Sequence, residues 1–261
     1  MNLYERDYTK IITQEERDAQ ILFEEFETKK GIKYLNDNPL YSHPDYNCRN
    51  FLWCHNSRFP NNSLLHFRPE VLNLSCEAKQ FMLVLDESKN ENQIQSYIKD
   101  NKKWFIPGSI FKEYSFGNGE AYLFPELRLG AEYQVDYALL GENSDGYSIV
   151  FVEFENANTP FLISTSNTES ESVRKGVAQI KNWKRWIEDN RDYFFKNGEF
   201  KDKGISIPTY RIFNCLVVGR REHMSTREIE VRSQTCYENL NFKIISFDRI
   251  VDYIQIINTG Y

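Results

Sequence analysis

The order of elements along the second half of the chain predicts an α/β fold, a sheet covered by helices on both faces. Two β-prone runs around a short turn between Gly141 and Gly146 read as a hairpin. A long amphipathic segment follows, from residue 172 to about residue 190. Then RIFNCLVVG, residues 226–239, KIISF and DRIVDYIQII read in turn as strand, helix, strand and helix.

The composition sets the frame for these elements. At 261 residues, 41% hydrophobic and 15% aromatic, the chain can bury one large core or two modest ones. No run reaches the roughly 18 apolar residues of a spanning helix. The start MNLYERDYTKIITQEERD lacks the basic-then-apolar order of a secretory signal, so the expectation is a cytoplasmic protein with no membrane partner. A net charge of -6 and a pI near 5.4 give no global attraction to nucleic acid and leave phosphate contacts to local basic patches. The five cysteines are odd in number and scattered, which fits a reducing compartment. Zinc would have to draw on Cys48, Cys54, His55, His66 and Cys76, but no C-x-x-C pair is present, and plain thiols are expected.

Taken in order, residues 2–30 suggest an amphipathic helix starting after Thr13, and residues 31–69 read as irregular, with NDNPLYSHPDYN and SRFPNNS as loop signals. KQFMLVLD reads as a strand. The polar DESKNEN (residues 86–92) marks a boundary between a small N-terminal module, residues 1–88, and a larger domain, residues 89–261. ENQIQSYIK reads as a short helix, residues 111–127 contain one or two strands, and the hairpin comes next. After the loop TPFLISTSNTES the long helix begins, with Ser170 or Ser172 as its cap.

At about 100° per residue, Val173, Val177, Ile180, Trp183 and Ile187 fall on one side of that helix and form its buried face. Arg174, Lys181 and Arg185 form a basic stripe, and Lys175, Gln179 and Trp186 share a third, mixed edge. A stripe of this kind is either a solvated surface or a row of phosphate contacts.

The chemistry concentrates in the hairpin. SIVFVEFE is apolar until Glu153 and Glu155, which project to the same side of the strand as Phe151, and Asp136 sits on the partner strand. Three carboxylates gathered there raise one another's pKa unless a cation neutralises them, and a hard divalent ion such as Mg²⁺ suits such oxygens. The alternative is that some of them point to solvent from a wet face, paired to Arg or Lys.

The ordered stretches NENQIQSYIKDN, LGAEYQVDYALL, IVFVEFENANTPF, GVAQIKNWKRWIEDN and CLVVGRRE, spanning roughly residues 89 to 250, resemble the nuclease domain of Shedu anti-phage defence proteins, within the PD-(D/E)XK superfamily. The resemblance implies a restriction-endonuclease-like mixed sheet flanked by helices and Mg²⁺- or Mn²⁺-dependent hydrolysis of DNA, here phage DNA. That an acidic chain must hold a duplex adds the expectation of a local basic groove and a homo-oligomer. It implies Asp136 and Glu153 as metal-binding acids, Glu91 as an acid on the first core helix, and Gln179 as a contact to the metal-bound water or the DNA backbone. Glu155 stands where the superfamily usually has a lysine. It then acts as a general base or helps hold a second cation, or else Lys175 reaches in from the helix. Arg174, Lys175, Lys181, Arg185, Arg220 and Arg221 are the expected DNA contacts. The rival reading is a silent nuclease-fold module that binds nucleic acid or a partner protein. Glycoside hydrolysis by paired carboxylates ranks behind both, because nothing in the chain supplies a sugar cleft.

Overall fold

Side-chain caps open the helices Gln14–Thr28, Glu91–Asp100 and Thr226–Glu238, whereas Glu171–Lys196 and Phe247–Ile256 start without one and are placed by their apolar faces. In the computed structural model, which describes residues 3–29, 37–64, 73–114, 116 and 120–257, the chain forms two units, Asn2–Phe67 and Arg68–Tyr261.

The first unit holds α1 (Gln14–Thr28), the short α2 (Pro39–Ser42) and α3 (Tyr46–His55). Thr13 caps α1, its hydroxyl accepting from the Glu16 amide while Glu16 reaches back, a reciprocal box that satisfies two orphan donors. The stretch expected to be irregular contains α2 and α3. Asn38 and Asp45 cap them through side-chain oxygens, and Pro39 opens α2, so the Asn-Pro and Asp signals mark helix starts and not a continuous loop. Tyr8, Ala19, Phe51, Leu52, Cys48 and Cys54 form this unit's core. Burial pushes the Cys48 thiol up to about 11 and the Cys54 thiol up to about 12, so both remain protonated packing groups. Cys76 is exposed, and His66 lies outside the described residues.

The second unit begins with α4 (Leu74–Glu87). This corrects the strand expected at KQFMLVLD. Ala78, Phe81 and Leu85 recur at helical spacing and are buried, while Met82 and Leu83 are exposed, so the unbroken apolar run is one buried stripe plus two surface residues. Then come α5 (Glu91–Asp100), α6 (Phe105–Gly108) and a five-stranded sheet: β1 (Ala121–Leu129), β2 (Tyr133–Asn143), β3 (Gly146–Phe154), β4 (Ile212–Val217) and β5 (Phe242–Ile245). The strands lie in sequence order, the first three antiparallel and β3-β4-β5 parallel. This is the mixed sheet flanked by helices that was expected.

The β2–β3 turn is tighter than the Gly141–Gly146 reading. Asn143 pairs with Gly146, leaving two residues at the tip, and Gly146 takes a φ of +106°. Arg211 ties this turn to the start of β4, donating to Ser148 Oγ, the Asp145 carbonyl, Asn143 Oδ1 and the Gly146 carbonyl. A parallel neighbour needs a long crossover. It is supplied by α7 (Glu171–Lys196), with α8 (Thr226–Glu238) between β4 and β5 and α9 (Phe247–Ile256) closing the chain. Helix α7 starts after Ser170 and runs past the expected end. Its expected core face is buried throughout, and Trp186, assigned to the mixed edge, is buried too, its ring lying over Gly130.

Candidate active site

Alternation along β3 sends Phe151 and Glu153 to one face and Val152 and Phe154 to the other. Phe151 meets Phe194 of α7 edge-on at 5.9 Å, while Phe154 meets Phe247 of α9 at 5.3 Å. The α7 face of β3 therefore changes from aromatic to carboxylate at the strand's C-terminal end. Ala138 pairs with Phe151 and Tyr137 with Val152, which brings Asp136 level with Glu153 and onto the same face. The ladder stops there because the Asp136 side chain replaces it: its Oδ2 accepts the Phe154 amide at 2.7 Å.

Glu155 follows β3 directly. Its amide donates to the Val217 carbonyl at 2.9 Å, which continues the parallel register with β4 and fixes its side chain on the Glu153 side. Glu155 is 1% exposed and lies under Gly176 of α7. A Cβ at residue 176 would stand 2.5 Å from Leu216 Cδ1 and 3.2 Å from Glu155 Cγ, so only glycine lets the helix come this close. The preceding residue, Lys175, places its Nζ 3.1 Å from Glu91 Oε1 and 3.3 Å from Glu155 Oε1. Glu91 is the first residue of α5, which Asn90 caps.

These groups titrate as a set. Burial, then the charges of Asp136 and Glu155, hold the Glu153 carboxyl far above the usual carboxylate range. Burial also raises Asp136, against hydrogen bonds from the Phe154 amide and the Gln95 side chain that favour its charge. Burial pushes Glu155 up to about 7, a rise that the Lys175 ammonium limits. For Lys175 burial works against the charge, but hydrogen bonding to Glu91 and the attraction of Glu155 outweigh it, and its pKa is raised. Two oxygens, Glu153 Oε2 and Glu155 Oε1, are buried without a hydrogen-bond partner. Glu155 Oε1 faces Lys175 at ion-pair distance without hydrogen-bond alignment. Among the described residues Glu153 Oε2 has no such cation.

Hard carboxylate oxygens with an orphaned lone pair fit a divalent cation better than they fit an apolar interior. Among the described residues no group of three or more His, Cys, Asp or Glu side chains is arranged as a metal cage. Asp136 and Glu153 thus form an open pair of donors, with Glu155 turned toward Lys175. Gln179 is half-buried one turn beyond Lys175 on α7.

The basic residues separate into two sets. Arg174, Lys181 and Arg185 are exposed on α7, and among the described residues none has an ion-pair partner. Arg220, expected to touch DNA, is only 3% exposed. Its Nη1 donates to Asp86 at 2.5 Å and its Nε to Asp248 at 3.1 Å, so its charge is consumed inside the fold. Arg221 pairs with Asp252. Sequence reading missed Gln95 and Gly176. The first lies one helical turn after Glu91, and the second is a glycine inside a helix, a signal of close approach.

Residues 88–251 match the model for the Shedu protein SduA, C-terminal. The chain belongs to this family. In this Shedu chain the matched region takes in Glu91, Asp136, Glu153, Glu155, Lys175 and Gln179. Among solved structures, the restriction endonuclease FokI bound to DNA is similar at a TM-score of 0.40 and 15% identity, covering 72% of this chain and 31% of that one. Free FokI is similar at 0.34 and 13%, with the same coverage. The chain thus spans under a third of FokI's length. No curated protein matches it. Among the described residues no helix is long and apolar enough to cross a membrane.

Proposed function

We propose that this Shedu-family chain is a metal-dependent DNA endonuclease that acts in the cytoplasm against phage DNA, with Asp136 and Glu153 holding Mg²⁺ or Mn²⁺. The observation that carries this reading is Glu153: a buried carboxyl, level with a second acid, with one oxygen lacking any partner. A stable fold has little reason to keep such a group without a ligand. Bound there, the cation would neutralise charge on the scissile phosphate and acidify a water.

The chain's own residues divide the remaining work. The Phe154 amide orients Asp136 and keeps it available as a carboxylate. To hold a cation Glu153 would have to be ionised, so protonation would compete with binding and affinity is expected to rise with pH. Glu155, poised at about 7, is suited to accept a proton from the attacking water. Lys175 supplies from α7 the ammonium that the superfamily usually carries at residue 155, which is the option the geometry favours. Arg174, Lys181 and Arg185 contact the DNA backbone, and assembly into a homo-oligomer would set several such stripes along one duplex. We assign catalysis to residues 89–261. Of the expected N-terminal module, residues 1–88, helix α4 (Leu74–Glu87) folds within the same unit as the catalytic part, and the unit Asn2–Phe67 stands as a separate module.

Incubating purified protein with linear and circular DNA in Mg²⁺ or Mn²⁺, against EDTA, tests the activity. Glu153→Gln is expected to lower cleavage by several orders of magnitude, because it keeps the side chain's shape and removes its charge. Equal metal-dependent cleavage by wild type and variant would overturn the assignment. If neither protein cuts any DNA form, the silent binding module becomes the better reading. Reversing the charges of Arg174, Lys181 and Arg185 is expected to weaken binding across all sequences and to flatten its salt dependence. An unchanged slope would make the stripe a solvated surface.

A further inference from the structure

A cavity of 290 Å³ opens beside Asp136, between α5 and strands β1 and β2. Asn92, Gln95, Ser96 and Lys99 line it from α5, at the i, i+3, i+4, i+7 spacing of one helix face. Asn92, Ser96 and Lys99 are exposed, so this wall is open to solvent and to any ligand that enters. Gln95 already bonds to the Asp136 carboxylate, and Lys99 follows it by one turn, about 6 Å along the axis at 1.5 Å per residue.

The β1 wall holds Glu126, whose carboxylate accepts from the Lys99 ammonium at 3.0 Å. Pro125 pairs with Tyr137 and Leu127 with Val135, so Glu126 stands level with Asp136, and the ladder passes over both. Glu126 takes a φ of +53°, and among the described residues it is the only non-glycine residue inside a strand with a left-handed backbone. Such a conformation costs free energy. The ion pair does not offset that cost, because the lysine and glutamate side chains are 48% and 40% exposed and exposed pairs add little to stability. Strain that stability leaves unexplained, beside a catalytic acid, points to a task in binding.

We propose that Lys99 is a phosphate-positioning residue: Glu126 holds its ammonium in the absence of DNA, and the backbone phosphate next to the scissile one displaces Glu126 and takes its place. The proposal rests on the reading that DNA is bound at Asp136 and Glu153. With the scissile phosphate at Asp136, the next phosphate along the strand falls one helical step away, at Lys99. Lys99 then sets the register of the strand without reading its sequence. Glu126 repels any strand that does not bring a phosphate to that spot, so misregistered DNA is disfavoured.

A short fluorescein-labelled DNA duplex, titrated with the full-length protein in EDTA and followed by anisotropy over a salt series, reads binding without cleavage. Lys99→Gln is expected to weaken binding about fivefold and to lower the slope of log affinity against log salt by about one, whereas Lys99→Arg keeps both. Glu126→Gln is expected to tighten binding about threefold, and to lose that effect when combined with Lys99→Gln. Glu132→Gln, at an exposed acid in the β1–β2 turn, controls for general charge and is expected to change little. Circular dichroism checks each fold, and where Lys99→Gln fails to fold the contrast between Glu126→Gln and Glu132→Gln decides. Unchanged affinity and slope in folded Lys99→Gln, a Glu126→Gln gain that survives the loss of Lys99, or an equal gain in Glu132→Gln would overturn the proposal. Cleavage by wild type in Mg²⁺ is scored separately. A protein that binds through Lys99 and does not cut fails the endonuclease reading alone, one that cuts with Lys99 idle fails this proposal alone, and one that binds no DNA fails both.

Discussion

A carboxyl group that is 5% exposed, level with a second acid and short of one hydrogen-bond partner is costly to ionise, and Glu153 is such a group. The sign of its effect on stability follows from its raised pKa. Below the ordinary carboxylate value of 4.5 both folded and unfolded chains hold the proton, and nothing is lost. As pH rises past that value the unfolded chain releases its protons first, so stability falls, through about 7 for Glu155 and beyond it for Glu153. Glu153→Gln removes the larger part of this slope. In EDTA the variant is expected to match wild type at pH 4 and to exceed it by roughly 1–3 kcal/mol at pH 8 in denaturant unfolding. A gain of the same size at both pH values would mean that the glutamine acts through packing and not through charge. With Mn²⁺ present the order is expected to reverse, because ligand binding then stabilises only the wild type.

Helix α7 meets the sheet through Gly176, and two effects compete in Gly176→Ala. Alanine gains about 1 kcal/mol of helix propensity, whereas an added methyl in a closed core costs about 1–3 kcal/mol. Leu216 is fully buried, so Cδ1 at 2.5 Å has no room to yield and the steric cost wins. The expected net loss is about 1 kcal/mol in thermal unfolding, accompanied by a disturbed Lys175–Glu155 pair. How far each element was readable depended on where its partner lies. Caps and periodicity were local, so α1, α5, α8 and the closing strand and helix were legible to within a few residues, as was the start of α7, whose end at Lys196 lies about a turn and a half beyond the expected one. The α4 stripe was not, because FMLVL satisfies a buried strand and a helix side equally well until tertiary contacts choose. In the site, the acids of the hairpin stood out because charge interrupts an apolar pattern. Their pairing with Lys175 did not, since a lysine on a helix edge reads as solvated until the helix is docked.

Within the larger unit, Arg220 links three elements: it follows β4, reaches Asp86 at the end of α4 and grips Asp248 in the first turn of α9. Its burial makes it a structural cation, and Arg220→Met is expected to cost roughly 2–3 kcal/mol, below the 3–5 of a fully enclosed pair because Asp86 is half exposed. Unfolding in urea, with the salt dependence of DNA binding measured in parallel, checks this: stability should drop and the salt slope should stay. A slope lowered by about one phosphate contact in a stably folded variant would return Arg220 to the DNA surface. The chain order of the sheet has a further consequence, in time instead of energy. Strands β1 to β3 pair through local turns, whereas β4 joins only after the whole of α7 has been laid across. Asp136 and Glu153 are therefore brought together by an early, fast-closing hairpin, and Lys175 arrives with a late, slow crossover. If Asp136 and Glu153 hold a divalent cation as proposed, that cation can meet the hairpin acids before Lys175 does, and refolding followed by stopped-flow fluorescence is expected to be faster in Mn²⁺ than in EDTA; equal rates would mean that the acids close without it.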